Sequence, residues 1–204
     1  MTGVYGRLNV IFEMLAKLAL LNLLWLVCTL AGGILFGLFP AAAALHEVLA
    51  RLFRKEEVQI GKAFKNAAVK NFKKANASGY LFTCVLFILY VDYHFFHSFG
   101  NIGALVLSYF SLLLFVILFT AFLVLFPLQV RYEGSLLNSL KNSFRITLGY
   151  PGLSLLILIG FVLIGTAMFY IPGLMPFYLI SGPSYFCHFV CTRKFKKIET
   201  SMEG

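Results

Sequence analysis

The sequence predicts an all-α, polytopic membrane helix bundle, and three observations lead to this class. Of the 204 residues, 60% are hydrophobic and only 12% are charged, whereas soluble domains carry about 25% charged residues. The apolar residues gather in stretches of the length, about 20 residues, that an α-helix needs to cross a bilayer. The basic residues gather at alternate ends of these stretches. A soluble fold is excluded because a domain of this size has too little interior to hide so much apolar surface.

Five apolar stretches are long enough, or nearly so, to be transmembrane helices, and together they make one integral membrane domain over residues 1–204. They cover residues 18–39, 79–99, 102–128, 151–171 and 173–191. The first ends at Pro40 and four alanines, which resemble a signal-peptide cleavage site. The stretch exceeds the roughly 7–15 residues of a signal h-region, and the stronger basic cluster follows it. We therefore predict a permanent span that leads into a cytoplasmic helix.

Two polar segments between the spans are predicted to be cytoplasmic amphipathic helices, at residues 40–78 and 129–150. In the first, apolar residues recur at helical spacing and lysines occupy the opposite face. The basic residues expected to contact anionic lipid or a partner protein are Lys62, Lys65, Lys70, Lys73, Lys74 and Arg145. Basic residues near a membrane attract anionic headgroups, and no nucleic-acid-binding fold accompanies them, so nucleic acid is not expected as a partner.

The distribution of lysine and arginine predicts the orientation. Of the 17 basic residues, all except Arg7 and Lys17 fall on one side of a five-span arrangement. The positive-inside rule makes that side cytoplasmic, so the N-terminus is expected outside and the C-terminus inside. The stretch at residues 5–17 is semi-amphipathic and is predicted either to lie at the outer interface or to extend the first span.

No catalytic motif occurs in the chain, which lacks a Walker A loop, a His-Glu-x-x-His motif and a Gly-x-Ser-x-Gly motif. We therefore expect a protein that is not an enzyme and that needs no cofactor. Cys187, His188 and Cys191 lie within one helical turn, but two thiols and one histidine off their face do not complete a tetrahedral metal site. These cysteines are interpreted as small apolar residues.

Four polar residues inside or near the spans form the candidate polar site. Asp92 is the only acidic residue in a predicted span, and His94 and His97 follow it on one helix face. Ionisable groups in a membrane are expensive to bury, so they raise the hypothesis of a functional site. The structural alternative is an interfacial belt that these residues form with Tyr90 and Tyr93. Asn22, within the first span, is typical of an interhelical hydrogen bond. A further alternative is a membrane enzyme that uses Asp92, His94 and His97 for acid–base catalysis at the outer interface.

Three further patterns bear on packing and transport. Gly33 and Gly37 form a Gly-x-x-x-Gly pair that permits close helix packing. Pro172, Pro176 and Pro183 interrupt the fifth span, and broken helices line binding sites in transporters. Phe-Pro pairs close the first and third spans, each followed by a Lys-Asn pair, which hints at a parallel internal repeat.

Four parts of the chain carry distinctive motifs: the Asn-Leu-Leu-Trp run at 22–25 with Gly-Leu-Phe-Pro-Ala at 37–41, the Lys/Phe-rich segment at 64–76, Tyr-Val-Asp at 90–92, and the segment at 126–144. Together they resemble the YesL-like family of bacterial integral membrane proteins, which is catalogued as a domain of unknown function. The resemblance implies a multi-pass protein of the bacterial plasma membrane, linked to carbohydrate utilisation and sugar uptake. No catalytic residues are defined for that family.

Two functions follow as expectations. The first is a non-enzymatic protein accessory to carbohydrate uptake or utilisation, with a sugar permease as its partner. The second is a small-solute transporter or channel that acts as a homo-oligomer, because five helices from one chain make a thin wall around a pore.

Overall fold

The computed structural model describes residues 4–132 and 135–202, and the regular structure in these ranges is helical, with no β-strand. This confirms the all-α class. The helices are α1 (Val4–Ala31), α2 (Leu35–Phe53), α3 (Ile60–His97), α4 (Ile102–Arg131), α5 (Leu136–Gly149), α6 (Pro151–Tyr170), α7 (Met175–Tyr178) and α8 (Ser181–Met202), with a 3₁₀ turn at Pro172–Leu174.

Five of the described helices are long and apolar enough to cross a membrane, namely residues Leu8–Ala31 of α1 and the whole of α2, α3, α4 and α6. The polytopic bundle predicted from the sequence is thereby confirmed. The five helices are not the five predicted stretches, however. The third and fourth predicted spans correspond to α4 and α6 and the second to part of α3, whereas the first and fifth differ.

The prediction of one continuous first span at 18–39 is wrong, because the chain reverses direction at residues 32–34. Gly33 and Ile34 both have left-handed backbone angles, with φ of 65° and 66°, and a helix cannot continue through such residues. Gly37 lies so close to α1 that a Cβ atom there would be 2.8 Å from Thr29 Cα. The two helices therefore form a tight hairpin. Of the predicted Gly33 and Gly37 pair, only Gly37 packs between helices, and Gly33 makes the turn.

The hairpin changes what the first helix does. Helix α1 begins at Val4, so residues 5–17 extend the first span, one of the two alternatives predicted. Leu18 and Leu21 of α1 pack with Leu45 and Leu49 of α2, which places the middle of α1 beside the C-terminal half of α2. The expectation of an odd number of crossings depended on a single first span, and the hairpin removes that basis.

Helix α3 joins two elements that were predicted separately. Of the segment predicted at 40–78, residues 40–53 belong to α2, and residues 60–78 continue into the second span. They form one helix of 38 residues, about 57 Å long at 1.5 Å per residue. Its N-terminal half packs on α2 through Ala63, Phe64, Ala67 and Ala75, while its C-terminal half exposes apolar side chains such as Phe87 and Ile88. The change from a polar to an apolar surface along α3 does not interrupt the helix.

The second half of the chain closes the bundle. Helix α5 packs Leu140 and Phe144 on a cluster of α3 and α4 that includes Phe82, Leu118 and Leu125, which confirms an amphipathic helix within 129–150. Helix α8 packs along α6, where Gly160 leaves room for the Phe186 ring. The predicted fifth span at 173–191 is interrupted, because its prolines divide it into the 3₁₀ turn, α7 and α8.

Candidate functional site

A polar cavity lies where the ends of α2 and α4 meet the N-terminal half of α3, a region that we call the basic end. Its volume is about 420 Å³. The lining residues are Ala43, Glu47 and Arg51 of α2, Arg54 at its C-terminal cap, Lys70 and Asn71 of α3, and Gln129 and Val130 of α4. The cavity therefore depends on the packing of three consecutive helices.

Glu47 organises this polar cavity. Its carboxylate accepts a hydrogen bond of 2.8 Å from Arg51, one turn later on α2, and one of 2.9 Å from the Asn71 amide on α3. Asn71 also donates to the Ala67 carbonyl at 3.0 Å. The Glu47 side chain is only 13% exposed, so these bonds are partly shielded from water and hold both partners in place. A third contact crosses from α4, where Gln129 donates to the Ser78 hydroxyl at 3.2 Å.

A smaller cavity of about 120 Å³ adjoins the first, and Arg54 lines both. Phe53, Arg131 and His188 also line it. The cationic side chains that line the two cavities are Arg51, Arg54, Lys70 and Arg131. Glu47 pairs with Arg51, Glu56 bonds Arg54 at 2.6 Å, and Lys70 and Arg131 also have interactions within the protein. The basic end therefore gathers four cationic side chains beside amide groups that can donate and accept hydrogen bonds.

Two buried histidines separate the basic end from the interior of the bundle. The His46 ring of α2 stacks on Phe126 with centroids 6.0 Å apart and lies 6.5 Å from the His188 ring of α8. Both rings are at least nine-tenths buried. The Nδ1 atom of each has no hydrogen-bond partner among the described residues, so each can accept or donate one more bond.

Asn22 forms hydrogen bonds from α1 to the broken segment before α8, and a bond between helices was one interpretation of this residue from the sequence. The side chain is fully buried. Its amide donates to the Pro176 carbonyl at 2.8 Å, and its oxygen accepts from the backbone N–H groups of Ile180 and Ser181 at 2.9 and 3.2 Å. Asn22 thus supplies hydrogen bonds to the backbone that the broken segment before α8 leaves unpaired.

Asp92, His94 and His97 lie at the opposite end of α3 and do not form an assembled site. Asp92 is half-buried and makes no hydrogen bond or ion pair with another residue of the described chain. His94 and His97 are exposed and contact aromatic rings, His94 at 4.6 Å from Tyr90 and His97 at 5.6 Å from Tyr93. This arrangement matches the aromatic belt that was the structural alternative.

The predicted lipid or partner surface divides in two. Lys62, Lys65, Lys73 and Arg145 are exposed and lie outside the cavities, as an electrostatic surface requires. Lys70 is different because it lines the polar cavity. Lys74 is half-buried and has an interaction within the protein.

No group of three histidine, cysteine or acidic side chains in the described ranges could hold a metal ion. Cys187 and Cys191 are buried as free thiols, and Cys187 contacts the Leu123 carbonyl at 3.4 Å. The pair belongs to an apolar cluster with Leu153 and Ile157.

Sequence reasoning missed the residues that build the basic end: His46, Glu47, Arg51, Arg54, Asn71, Gln129 and His188. A signal was present in the Glu47 and Arg51 spacing of four residues, which favours an ion pair on a helix. A carboxylate placed beside a histidine in an otherwise apolar, alanine-rich helix was a second signal.

Comparisons with known proteins identify the family. Residues 18–93 match the family described as a protein of unknown function, DUF624. The chain is 34% identical to the uncharacterized protein YesV of Bacillus subtilis, over 92% of this chain and 90% of the relative. It is 30% identical to the uncharacterized protein YteU, over 91% of this chain and 83% of YteU, and 29% identical to the uncharacterized protein YesL, over 78% and 76%.

No solved structure gives a significant match to the chain. The three relatives, by contrast, are matched over 76% to 90% of their own length, and they agree with the resemblance to YesL-like proteins. The chain therefore belongs to the DUF624 family of proteins of unknown function.

Proposed function

We propose that this is a non-enzymatic protein of the bacterial plasma membrane that binds an anionic sugar at the basic end and assists carbohydrate uptake or utilisation. The observation that carries the proposal is the polar cavity of about 420 Å³, which combines arginine and lysine with amide side chains. Arginine binds carboxylate and phosphate groups through two parallel hydrogen bonds. Amide and carboxylate side chains such as Asn71, Gln129 and Glu47 can form hydrogen bonds with sugar hydroxyls.

The same cavity supports a binding role over catalysis. Glu47 is the carboxylate among its lining residues, and Arg51 and Asn71 already occupy it. A general base must be available to take a proton from the substrate. Glu47 is committed to positioning its neighbours, and the lining offers no hydroxyl or thiol nucleophile.

The carbohydrate part of the proposal depends on the family resemblance. The names of the relatives describe uncharacterized proteins and add nothing to it. In this proposal the exposed basic surface of α3 and α5 contacts anionic lipid and a sugar permease. The polar cavity binds the anionic sugar on the cytoplasmic side.

Equilibrium binding to the protein in lipid nanodiscs tests the ligand class. Glucose 6-phosphate and glucuronate are expected to bind at least 10-fold more tightly than glucose, because each charge-assisted hydrogen bond contributes about 1.5–3 kcal/mol. Inorganic phosphate is expected to compete weakly. Arg54→Gln should reduce the affinity for both anions, and Lys62→Gln, an exposed cation outside the cavity, is the control. Equal affinity for glucose, or no binding of either anion, would contradict the proposal.

We also propose an orientation in which both termini lie in the cytoplasm. With the α1–α2 hairpin, the crossings are α1, α2, α3, α4, α6 and the interrupted segment through α8. This arrangement assigns Arg7 and Lys17, the two exceptions in the five-span arrangement, to the same side as the other 15 basic residues. The positive-inside rule then makes that side cytoplasmic.

Terminal reporter fusions test the orientation. A fluorescent protein that folds only in the cytoplasm should fluoresce when fused to either terminus, and an alkaline phosphatase fusion in the turn near residue 100 should be active. A dark N-terminal fusion beside a bright C-terminal fusion would restore the N-terminus-outside arrangement.

Transport by a homo-oligomer is the second candidate function, and the interrupted segment before α8 favours it. Transporters often build their sites from such discontinuous helices, and here Asn22 holds the break with three hydrogen bonds. Uptake of labelled glucose 6-phosphate into proteoliposomes is expected only under this candidate. Binding without uptake would favour the accessory role.

A further inference from the structure

A third cavity lies inside the bundle, and its chemistry is opposite to that of the basic end. Its volume is about 440 Å³, and side chains from α1, α2, α4, α6, α7 and α8 line it, almost all of them apolar. An engineered apolar cavity of about 150 Å³ already holds benzene and excludes water. Protein interiors otherwise pack as densely as organic crystals, so a space of this size calls for an occupant.

The occupant must be hydrocarbon. An ordered water needs two to four polar partners, and the cavity lining offers few: His46, Ser184 and the Trp25 indole. The Trp25 Nε1 and His46 Nδ1 atoms are buried and have no partner among the described residues. They cannot hydrate a cavity of this size, which at about 30 Å³ per molecule would need roughly 15 waters.

The surroundings of the cavity identify the source of that hydrocarbon. Among its lining residues, Gly165 of α6 and Met175 and Leu179 near α7 are exposed, so the opening lies between α6 and α7. Next to Gly165 on α6, Val162 and Leu163 are more than 60% exposed. Apolar side chains with this exposure in a membrane protein face lipid tails, so the opening leads into the bilayer.

We propose that this cavity binds one acyl chain of a membrane phospholipid, which enters between α6 and α7 and lies against Trp25 and Phe122. The site is distinct from the polar cavity and does not depend on its ligand. Gly165 is the residue through which the site can be closed, because a Cβ atom built there meets nothing within 4 Å. A bulky side chain such as phenylalanine can therefore start from this position without a clash at its Cβ atom, and in this proposal it blocks the opening.

Trp25 provides the measurement, because it is the only tryptophan of the chain. In nanodiscs, phospholipids with brominated acyl chains are expected to quench its fluorescence, and native mass spectrometry is expected to find one phospholipid retained per chain. Gly165→Phe should reduce the quenching at least twofold and remove the retained lipid. Gly152→Phe is the matched control, because Gly152 is an exposed glycine of the same helix that also has open space around its Cβ and does not line the cavity.

Three outcomes would overturn the proposal. They are a wild-type protein that retains no lipid, quenching that Gly165→Phe and Gly152→Phe change equally, and a dimer in which a second copy shields Trp25 from brominated lipid. Equal thermal stability of the two variants in the same nanodiscs confirms that lost quenching reports a closed site and not an unfolded protein.

Discussion

Both ends of α3 carry polar residues, and the two ends differ in what surrounds those residues. At the N-terminal end, Lys70 and Asn71 meet side chains from α2 and α4 around a cavity, and Glu47 connects two helices by hydrogen bonds. At the C-terminal end, His94 and His97 meet aromatic rings, and Asp92 has no bonded partner among the described residues. A site needs polar groups that converge from several helices, and only the basic end provides that.

The largest effect is expected from a change that separates α2 from α3, because the basic end depends on their contact. Gly79 lies directly under the Phe39 ring, which itself packs on Tyr80 and Phe122. Gly79→Leu should therefore lower the free energy of unfolding by about 1–3 kcal/mol or more through overpacking. Thermal unfolding in detergent measures it.

Gly61→Leu is the matched control for this substitution. Gly61 lies in the first turn of the same helix with open space around its Cβ, so the variant should be as stable as the wild type. Equal loss of stability in both variants would show that the α2–α3 contact is not tightly packed.

An intermediate effect is expected at Glu47. Glu47→Gln removes the charge that pairs with Arg51 while it keeps an acceptor for Asn71, and the loss should be about 1–2 kcal/mol because the site is partly shielded from water. The Glu13 and Lys17 pair has the same spacing of four residues but is exposed, with the Glu13 side chain 63% exposed. Glu13→Gln should cost less than about 0.5 kcal/mol. Similar losses at both sites, in parallel thermal unfolding experiments, would contradict a special role for Glu47.

The smallest effect is expected at Asp92. Asp92→Asn removes a charge that has no bonded partner, so stability should change by less than about 0.5 kcal/mol, and the affinity for glucose 6-phosphate should stay the same. A tenfold change in that affinity would mean that the outer end of α3 contributes to the site.

The sequence predicted the class of fold well because span length and charge distribution are local properties. The bounds of α4 and α6 agree within a few residues with the predicted third and fourth spans, since each is a continuous apolar stretch bordered by polar residues or proline. The prediction of the first span was wrong because the turn between α1 and α2 lies inside a continuous apolar stretch, which looks like one span by composition. Only the backbone angles of Gly33 and Ile34 distinguish the hairpin from a single span, and hydropathy does not report those angles.

The candidate site could be predicted only in part. Asn22 stood out because it is polar within an apolar run, and a hydrogen bond between helices was one interpretation of it. Asn71 and Gln129 did not stand out, because each lies among other polar residues, and Glu47 offered only its spacing from Arg51 and its place beside His46. The contacts of Glu47, Asn71 and Gln129 join residues that are 24 or more positions apart in the chain, and no local pattern encodes such contacts.

The most direct test of the claim that ligand binding is concentrated at the basic end is one comparison of two double variants. The affinity for glucose 6-phosphate is measured in nanodiscs for the wild type, for Arg51→Gln with Arg54→Gln, and for His94→Gln with His97→Gln. We predict a loss of about 100-fold or more for the arginine pair, as two charge-assisted bonds imply, and a change of less than about twofold for the histidine pair. A greater loss for the histidine pair, or equal losses for both pairs, would contradict the account.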